Sequence, residues 1–325
     1  MRETLNRITG QRHIVIGDLY LDHYIFGRPQ RVSREAPVLV LDEERLEDRL
    51  GGGAAPALAL RELGCDVAVT GVVGDDSHGR TVVELLSNAG IDATHVAVDP
   101  TRPTTVKTRV VAEGFFLFPQ QLVRVDRQDR NPISPDEERA IGRAIRSANP
   151  DSVLVSDYRS GVLTDGLVEY IVNFRQLQGC PITVDSQGDL GRFKGFDLIK
   201  CNQAEVETYL GHELGSRSTR ERRLAGLRGD LDCDCLVVTR GGEGSAVVLD
   251  SEYAEIPAAN RSEVYDVTGA GDTVVAIMTA ALVAGASAIE AAKLAQVAAG
   301  IVVRKWGNAQ ATRAELEDAL EGGES

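Results

Sequence analysis

No stretch of this 325-residue chain approaches the ~20 consecutive apolar residues that a membrane-spanning helix needs. The opening MRETLNRITGQR lacks the apolar centre of a secretory signal, so a cytoplasmic protein is expected. Positive charge is also scarce. Against 49 Asp and Glu stand 35 Lys and Arg, a formal net charge of −14. Nucleic acids and anionic membrane surfaces select basic patches, so neither is an expected partner. Anionic small molecules stay open, because a few local donors can dominate a site. The five cysteines (65, 180, 201, 233 and 235) are odd in number and lie in apolar stretches, which reads as buried thiols in a reducing compartment. Cys233 and Cys235 lack the second pair or nearby histidine of a metal site.

Two common nucleotide motifs are missing as well. No G-x-x-x-x-G-K-[ST] is present, which removes the P-loop scheme. No G-x-G-x-x-G follows the first strand-like run, since Gly51-Gly52-Gly53 leads into AAP; a dinucleotide-binding dehydrogenase is therefore disfavoured. Neither a 20- to 50-residue repeat nor a low-complexity segment occurs.

What is present is alternation. HIVIGDLYL (13–21) reads as a strand, AAPALALRELG (54–64) as a helix, DVAVTGVVG (66–74) as a strand and SHGRTVVELLSNAG (77–90) as a helix. SPDEERAIGRAIRSA (134–148) opens with Ser134 as cap, Pro135 in the first turn and Glu137 completing a capping box. DSVLVSDY, PITVDS, FDLIKCN and DCLVVTRG are runs suited to strands buried on both faces, with helices near 164–178, 202–211 and 217–228. The rhythm predicts an α/β fold: a parallel sheet covered by helices on both sides.

Segments 23–50 and 101–127 break that rhythm. They hold strand-like runs without intervening helices and are expected to form a small antiparallel sheet, serving as a lid or a dimer surface. Phe115-Phe116-Leu117-Phe118 is too apolar to lie free in water and is expected to pack in the hairpin, at a subunit interface or over a substrate.

The most informative stretch is DVTGAGDT (266–273), followed by three to four turns of small apolar residues. The first amides of a helix have no intrahelical partners, and the helix dipole favours an anion there. Gly269, Ala270 and Gly271 let the backbone approach a phosphoryl group. Asp272 as a helix cap is the plain structural reading. A carboxylate beside an anion cradle also suits proton removal from an attacking hydroxyl.

DVTGAGDT resembles the motif of the ribokinase-like, or PfkB, carbohydrate kinases, and GDLYLD, LGGGAA, LVSDY, VDS, CNQAEVE, VVTRGGEG and AAGIVVRKWG follow in that family's order over nearly the whole chain. Within the family, GDLYLDHYIFG, RVSREAPV, QQLVRVD, VLVSDY and VYDVTGAGDTV are most similar to the heptose 7-phosphate kinases. The resemblance implies a three-layer α/β/α fold with a mostly parallel sheet and a small β lid, in one kinase domain spanning 1–325. It implies ATP and Mg²⁺ as cofactors, a sugar or sugar phosphate as acceptor, and a homodimer formed through the lid. Asp272 would be the catalytic base, with Gly269, Ala270 and Gly271 as the anion hole. Asn202 and Glu205 match N-x-x-E, which helps hold Mg²⁺ through water; on residues alone they are a cap and a surface glutamate. Thr239, Gly241 and Gly244 match a loop against ATP, otherwise a plain turn between strands. Gln296, Ala299 and Gly300 would line the adenine pocket. Asp266, Thr268 and Gly307 match a monovalent-cation site, for potassium.

For the acceptor, the resemblance points to Asp22, Gly52, Gly53 and Asp157; carboxylates suit polyols because each oxygen accepts from hydroxyls. Alone, both aspartates read as strand-end turn residues. Here the pattern departs: Ala55 stands in place of an asparagine, Ser160 in place of a lysine, Gln187 in place of part of DPKG, and AEGFFLFPQQ replaces a shorter turn. Arg31, Arg34, Lys107, Arg109, Arg124 and Arg159 are candidate replacements for the lost cations, Arg109 foremost. Heptose 7-phosphate is the leading acceptor. An unphosphorylated sugar or polyol, and a non-catalytic sugar- or nucleotide-binding role, stay as alternatives. The acidic EGGES ending predicts that no nucleotidyltransferase domain is attached.

Overall fold

The computed structural model describes residues 1–114, 119–260 and 264–322. The main sheet has nine strands. In chain order they are β1 (Arg12–Gly17), β4 (Asp66–Gly74), β5 (Asp92–Asp99), β8 (Ser152–Asp157), β9 (Ile182–Ser186), β10 (Leu198–Asn202), β11 (Cys235–Thr239), β12 (Ser245–Val248) and β13 (Tyr253–Ile256). Their spatial order is β13-β12-β11-β10-β9-β8-β1-β4-β5. Neighbours from β5 to β11 pair in parallel, and β12 and β13 close one edge as antiparallel strands.

Side chains alternate across this sheet, and each face builds its own core. Ile14 and Ile16 of β1 join Val153 and Val155 of β8 on one face, while Val15 and Leu154 join the other. Helices α4 (Pro135–Ala148), α5 (Asp165–Gln178), α6 (Gln203–Leu210) and α7 (Arg217–Leu231) cover the first face. The second is covered by α1 (Arg2–Ile8), α2 (Ala54–Glu62), α3 (Ser77–Asn88), α8 (Ala270–Val283), α9 (Ala288–Val302) and α10 (Arg313–Gly322). The expected three layers are therefore present. Helix α4 carries the predicted capping box: Ser134 accepts from the Glu137 amide, and Glu137 reaches back to Ser134. All five cysteines are buried as free thiols.

The second sheet has four strands, β2 (Leu19–Val32), β3 (Leu39–Gly52), β6 (Thr105–Ala112) and β7 (Gln120–Arg127), in the order β3-β2-β6-β7. It corrects two expectations. Residues 13–21 form two strands rather than one, because the chain leaves the main sheet at Asp18. The small sheet is also mixed: β2 pairs in parallel with β6, since β4, α3 and β5 intervene and return the chain in the same direction. Residues 115–118 lie outside the described residues, and with them the packing expected of the Phe-rich run. A cluster of Tyr24, Phe26 and Val111 with Trp306 anchors the small sheet to the segment after α9.

Candidate active site

The carboxyl ends of parallel strands are where open α/β sheets gather their ligands. Asp157 ends β8, Asp185 lies near the end of β9, Asn202 ends β10 and Thr239 ends β11. The N-terminus of α8 faces this edge, and the small sheet rises beside it.

Helix α8 starts at Gly269, whose φ of 80° lies in the left-handed region that favours glycine, and no side chain caps it. This corrects the capping expectation for Asp272, which falls in the first helical turn instead. A Cβ on Gly271 would fall 2.7 Å from the Lys200 Nζ, so the small residue leaves room for an ammonium under the helix start. Ala270 spends part of its amide on the Val267 carbonyl, at 3.3 Å. The remaining first-turn amides have no intrahelical partner to bond.

Asp272 is buried, and its two oxygens lie 3.0 and 3.1 Å from the Tyr158 hydroxyl, which donates to them. Burial, reinforced by the nearby Asp185 charge, pushes the carboxyl up to about 7; Lys200, Tyr158 and Lys107 pull the other way. A group poised there is suited to accept a proton near neutral pH. Tyr158 itself is driven well above the usual phenol range by burial and by the Asp272 charge, so its proton stays in place.

Lys200 is a residue of this site that sequence reasoning passed over. Alternation along β10 turns Leu198 and Lys200 toward the α8 face, and the Lys200 Nζ donates to both Asp185 oxygens at 2.9 and 2.8 Å. Burial opposes its charge, but the Asp185 carboxylate overrides this and raises the ammonium pKa. Its signal was a lone cation inside the apolar run FDLIKCN. Asp18 was also missed: its carboxylate accepts the amides of Tyr158, Ser160 and Val162, fixing the loop that carries Tyr158. Burial raises Asp18 to about 6 despite those donors.

A cleft of about 380 Å³ opens between the β11–β12 turn and α8–α9, within the usual size of a small-molecule pocket. Asn202, Thr239, Gly241, Gly244, Gln296, Ala299 and Gly300, all singled out from the sequence, line it together. Ala270 and Gly271 close the same cleft beside Lys200, joining it to the helix N-terminus. Two of these polar side chains have internal bonds: Gln296 donates to Ser245, and Thr239 to the Cys201 carbonyl.

Asn202 and Glu205 meet as a reciprocal capping box, Asn202 accepting the Glu205 amide and Glu205 accepting the Asn202 amide. The structural reading of the pair is thus realised. Burial raises the Glu205 pKa. The described residues hold no group of three or more His, Cys, Asp or Glu able to cage a metal. The pair fits a magnesium ion that keeps its waters and takes its other oxygens from phosphates.

Asp266, Thr268 and Gly307 also come together. Asp266 accepts the Thr268 amide and hydroxyl at 2.9 and 2.7 Å, and the Gly307 amide at 2.9 Å. Its carboxylate therefore clamps the loop before α8, and the Arg49 guanidinium stands against Gly307. A potassium ion would have to draw on loop carbonyls beside that clamp.

At the end where an acceptor was expected, Asp157 is buried and its Oδ1 accepts the Arg159 amide, while its Oδ2 has no protein partner among the described residues. Burial raises its pKa. An orphaned carboxylate oxygen in this position is what a polyol hydroxyl would satisfy. Gly52 ends β3 against the Asp18 carbonyl, which accepts the amide of Gly53, the residue leading into α2. Ala55 is buried in the first turn of α2. Ser160, standing where a lysine was expected, has its hydroxyl bonded to Tyr20 at 2.5 Å and to Gln128.

The candidate cations separate on inspection. Arg109 pairs with Asp22 at 2.5 Å, both of them buried or nearly so. The pair ties down one Asp22 oxygen and engages the Arg109 Nη1. Arg124 pairs with Asp126. Lys107 instead rests over the rings of Tyr20 and Tyr158, at 4.1 and 5.0 Å, and burial lowers its pKa.

The sequence model of the pfkB family carbohydrate kinases matches residues 14–314. The bifunctional protein HldE of Geobacter sulfurreducens is 40% identical over 311 residues, covering 94% of this chain and 62% of that protein. The HldE of Geobacter metallireducens is 41% identical over 307 residues, covering 93% and 61%. The chain thus spans about three fifths of the length of the curated relatives it matches. Phosphofructokinase-2 from Escherichia coli in complex with potassium superposes with a TM-score of 0.79 at 18% identity, over 98% of this chain and all of that one. Arabidopsis thaliana ribokinase complexed with ribose and ATP gives 0.74 at 20% identity, over 96% and 99%. At such identities these two structures speak to the fold alone.

Proposed function

The chain belongs to the pfkB family of carbohydrate kinases, and from that premise we propose that it transfers the γ-phosphoryl group of ATP to a hydroxyl of heptose 7-phosphate, with Asp272 as the base. The observation that carries this reading is the shared first turn of α8, where a buried, proton-ready carboxylate adjoins the open helix N-terminus and Lys200. The 40% identity to HldE supports the acceptor.

Phosphoryl transfer asks the protein for alignment and charge neutralisation more than for covalent work. Adenosine would lie along Gln296, Ala299, Gly300 and the Thr239–Gly244 turn, leading the phosphates to Lys200 and the first amides of α8. The acceptor would lie against Asp157, Asp22, Gly52 and Gly53, directing one hydroxyl at Asp272. That hydroxyl passes its proton to Asp272 as its oxygen attacks the γ-phosphorus in line, and the electron pair of the broken bond leaves on the ADP oxygen. Bound magnesium supplies electrostatic stabilisation of the phosphates near Asn202 and Glu205. Potassium, if required, would act on the Asp266 clamp and thereby on the anion loop.

Of the three candidate cations on the small sheet's β6 and β7, Lys107 is the one without a carboxylate pair, which supports it for the acceptor's own phosphate. The exposed apolar residues of the small sheet, among them Val32, Leu39, Leu46, Val123 and Val125, suit a homodimer formed through it. We read residues 1–325 as one kinase unit working in the cytoplasm, where ATP is supplied. The test is ADP release with ATP and magnesium across a panel of sugars and sugar phosphates. Turnover confined to unphosphorylated sugars would transfer the reading to a kinase of another sugar or polyol. Binding without turnover would leave only a binding role.

A further inference from the structure

Asp272 meets a phenol before any sugar arrives. The Tyr158 hydroxyl spans both carboxylate oxygens at nearly equal distance, 3.0 and 3.1 Å. Three features hold that phenol in place. The Asp18 carboxylate accepts the Tyr158 amide and so fixes the backbone. The Tyr20 ring packs against the Tyr158 ring edge-on, with centroids 5.2 Å apart. The Lys107 ammonium, carried by the small sheet, covers the faces of both rings. The tyrosine thus connects the base to the small sheet, through Tyr20 of β2 and Lys107 of β6.

We infer that Tyr158 is a positioning residue for the base: its hydroxyl occupies both Asp272 oxygens until an acceptor hydroxyl displaces it from one, which orients the carboxylate and withholds it from water. The inference rests on the reading of Asp272 as base. When the acceptor binds, the phenol keeps its proton and remains on one oxygen. The freed oxygen receives the acceptor's proton. The acceptor oxygen then forms the new bond to phosphorus while the bond to the ADP oxygen breaks, so the proton ends on Asp272, the phosphoryl group on the acceptor oxygen and the electron pair on ADP. Without an acceptor the phenol proton is shared between both oxygens, and a water near the γ-phosphate meets a weakened base.

The charged and titratable groups facing Asp272 are Asp185 from β9, Lys200 from β10, Lys107 from β6 and Tyr158 itself. A hydrogen bond to the ionised form lowers a carboxyl pKa, so removing the Tyr158 hydroxyl must raise that of Asp272. A residue that merely filled space would not have this effect, since phenylalanine keeps the ring.

The experiment compares wild type with Tyr158→Phe, using aspartate labelled with ¹³C at Cγ; the Asp272 resonance is identified by its loss in Asp272→Asn. The midpoint of its titration is expected to rise by about half a unit to one unit in Tyr158→Phe. Acceptor-free ADP release, measured with ATP and magnesium at about pH 8.5 where the base is ionised, is expected to rise about 3- to 10-fold. Thermal unfolding of the variant checks that the ring still packs. An unchanged midpoint overturns the inference whatever the hydrolysis rate, and an unchanged acceptor-free rate overturns the withholding from water. Full acceptor-dependent turnover in Asp272→Asn would instead remove the base reading, a separate outcome from either result with Tyr158→Phe.

Discussion

The Lys200 ammonium lies 2.9 and 2.8 Å from the two oxygens of Asp185 and directly beneath Gly271, in the first turn of α8. One carboxylate therefore stabilises a buried cation at the place where a transferred phosphoryl group would develop charge. A buried ammonium held this way is prepaid electrostatics: it needs no reorganisation when the transition state forms.

Replacing Lys200 should accordingly reduce kcat more than it raises KM for ATP. Lys200→Met is expected to lower kcat by about 10²- to 10³-fold, the range found when one oriented charge-stabilising donor is lost. Steady-state kinetics with ATP varied at saturating acceptor reads the split. A change confined to KM would assign Lys200 to ground-state binding alone.

Lys107 should discriminate between acceptors. Its ammonium rests on tyrosine rings rather than on a carboxylate. Lys107→Met is therefore expected to raise KM for a phosphorylated sugar by about 10-fold or more, a charge-assisted bond being worth about 1.5–3 kcal/mol. KM for an unphosphorylated analogue should hardly change. Equal losses with both acceptors would place the acceptor phosphate elsewhere.

Asp272 should cost stability as well as supply chemistry. Burial raises its carboxyl from the ordinary range to about 7, so the folded protein binds this proton more tightly than the unfolded chain does. The resulting stabilisation is present in full below the unfolded pKa, near 4, and is lost as pH rises through the folded value. Asp272→Asn does not suffer that loss. Its melting temperature should exceed that of wild type by about 2–5 °C near pH 8, with the gap closing toward about pH 5. A gap that widened in acid would mean the carboxylate is stabilised by folding, contrary to this account.

The small sheet supplies a further measurement. Strand β7 is exposed along its whole length, with Val123 and Val125 among the exposed apolar side chains. If two copies meet there, Val123→Asp should shift sedimentation equilibrium from dimer to monomer without altering the far-ultraviolet circular dichroism of the chain. A monomeric wild type would remove the lid interface.

What could be read from the sequence follows how local the information was. The glycine turn into α8 was legible because the small residues and the carboxylate are adjacent in the chain. That Asn202, the Thr239–Gly244 turn and Gln296–Gly300 line one cleft followed from the family resemblance, since each compact segment taken alone reads only as a cap, a turn or a helix face. The break at Asp18 was not, because an unbroken apolar run gives no sign that its two halves enter different sheets. Nor was the parallel pairing of β2 with β6, which depends on the path of the intervening chain. Tyr158 and Asp272 lie 114 residues apart, and no local pattern joins them. The role of Lys200 required knowing which face of β10 looks toward α8. Arg109 shows the converse: its charge alone gave no sign of the Asp22 partner that the fold brings to it.

The most direct test of the central claim is acceptor-dependent ADP release by Asp272→Asn, with ATP, magnesium and heptose 7-phosphate. Asparagine keeps the size of the side chain and an oxygen for Tyr158, but it cannot take a proton. Turnover is predicted to fall by about 10²- to 10⁴-fold, with ATP binding retained. Turnover within a few-fold of wild type would contradict the assignment of Asp272 as the base.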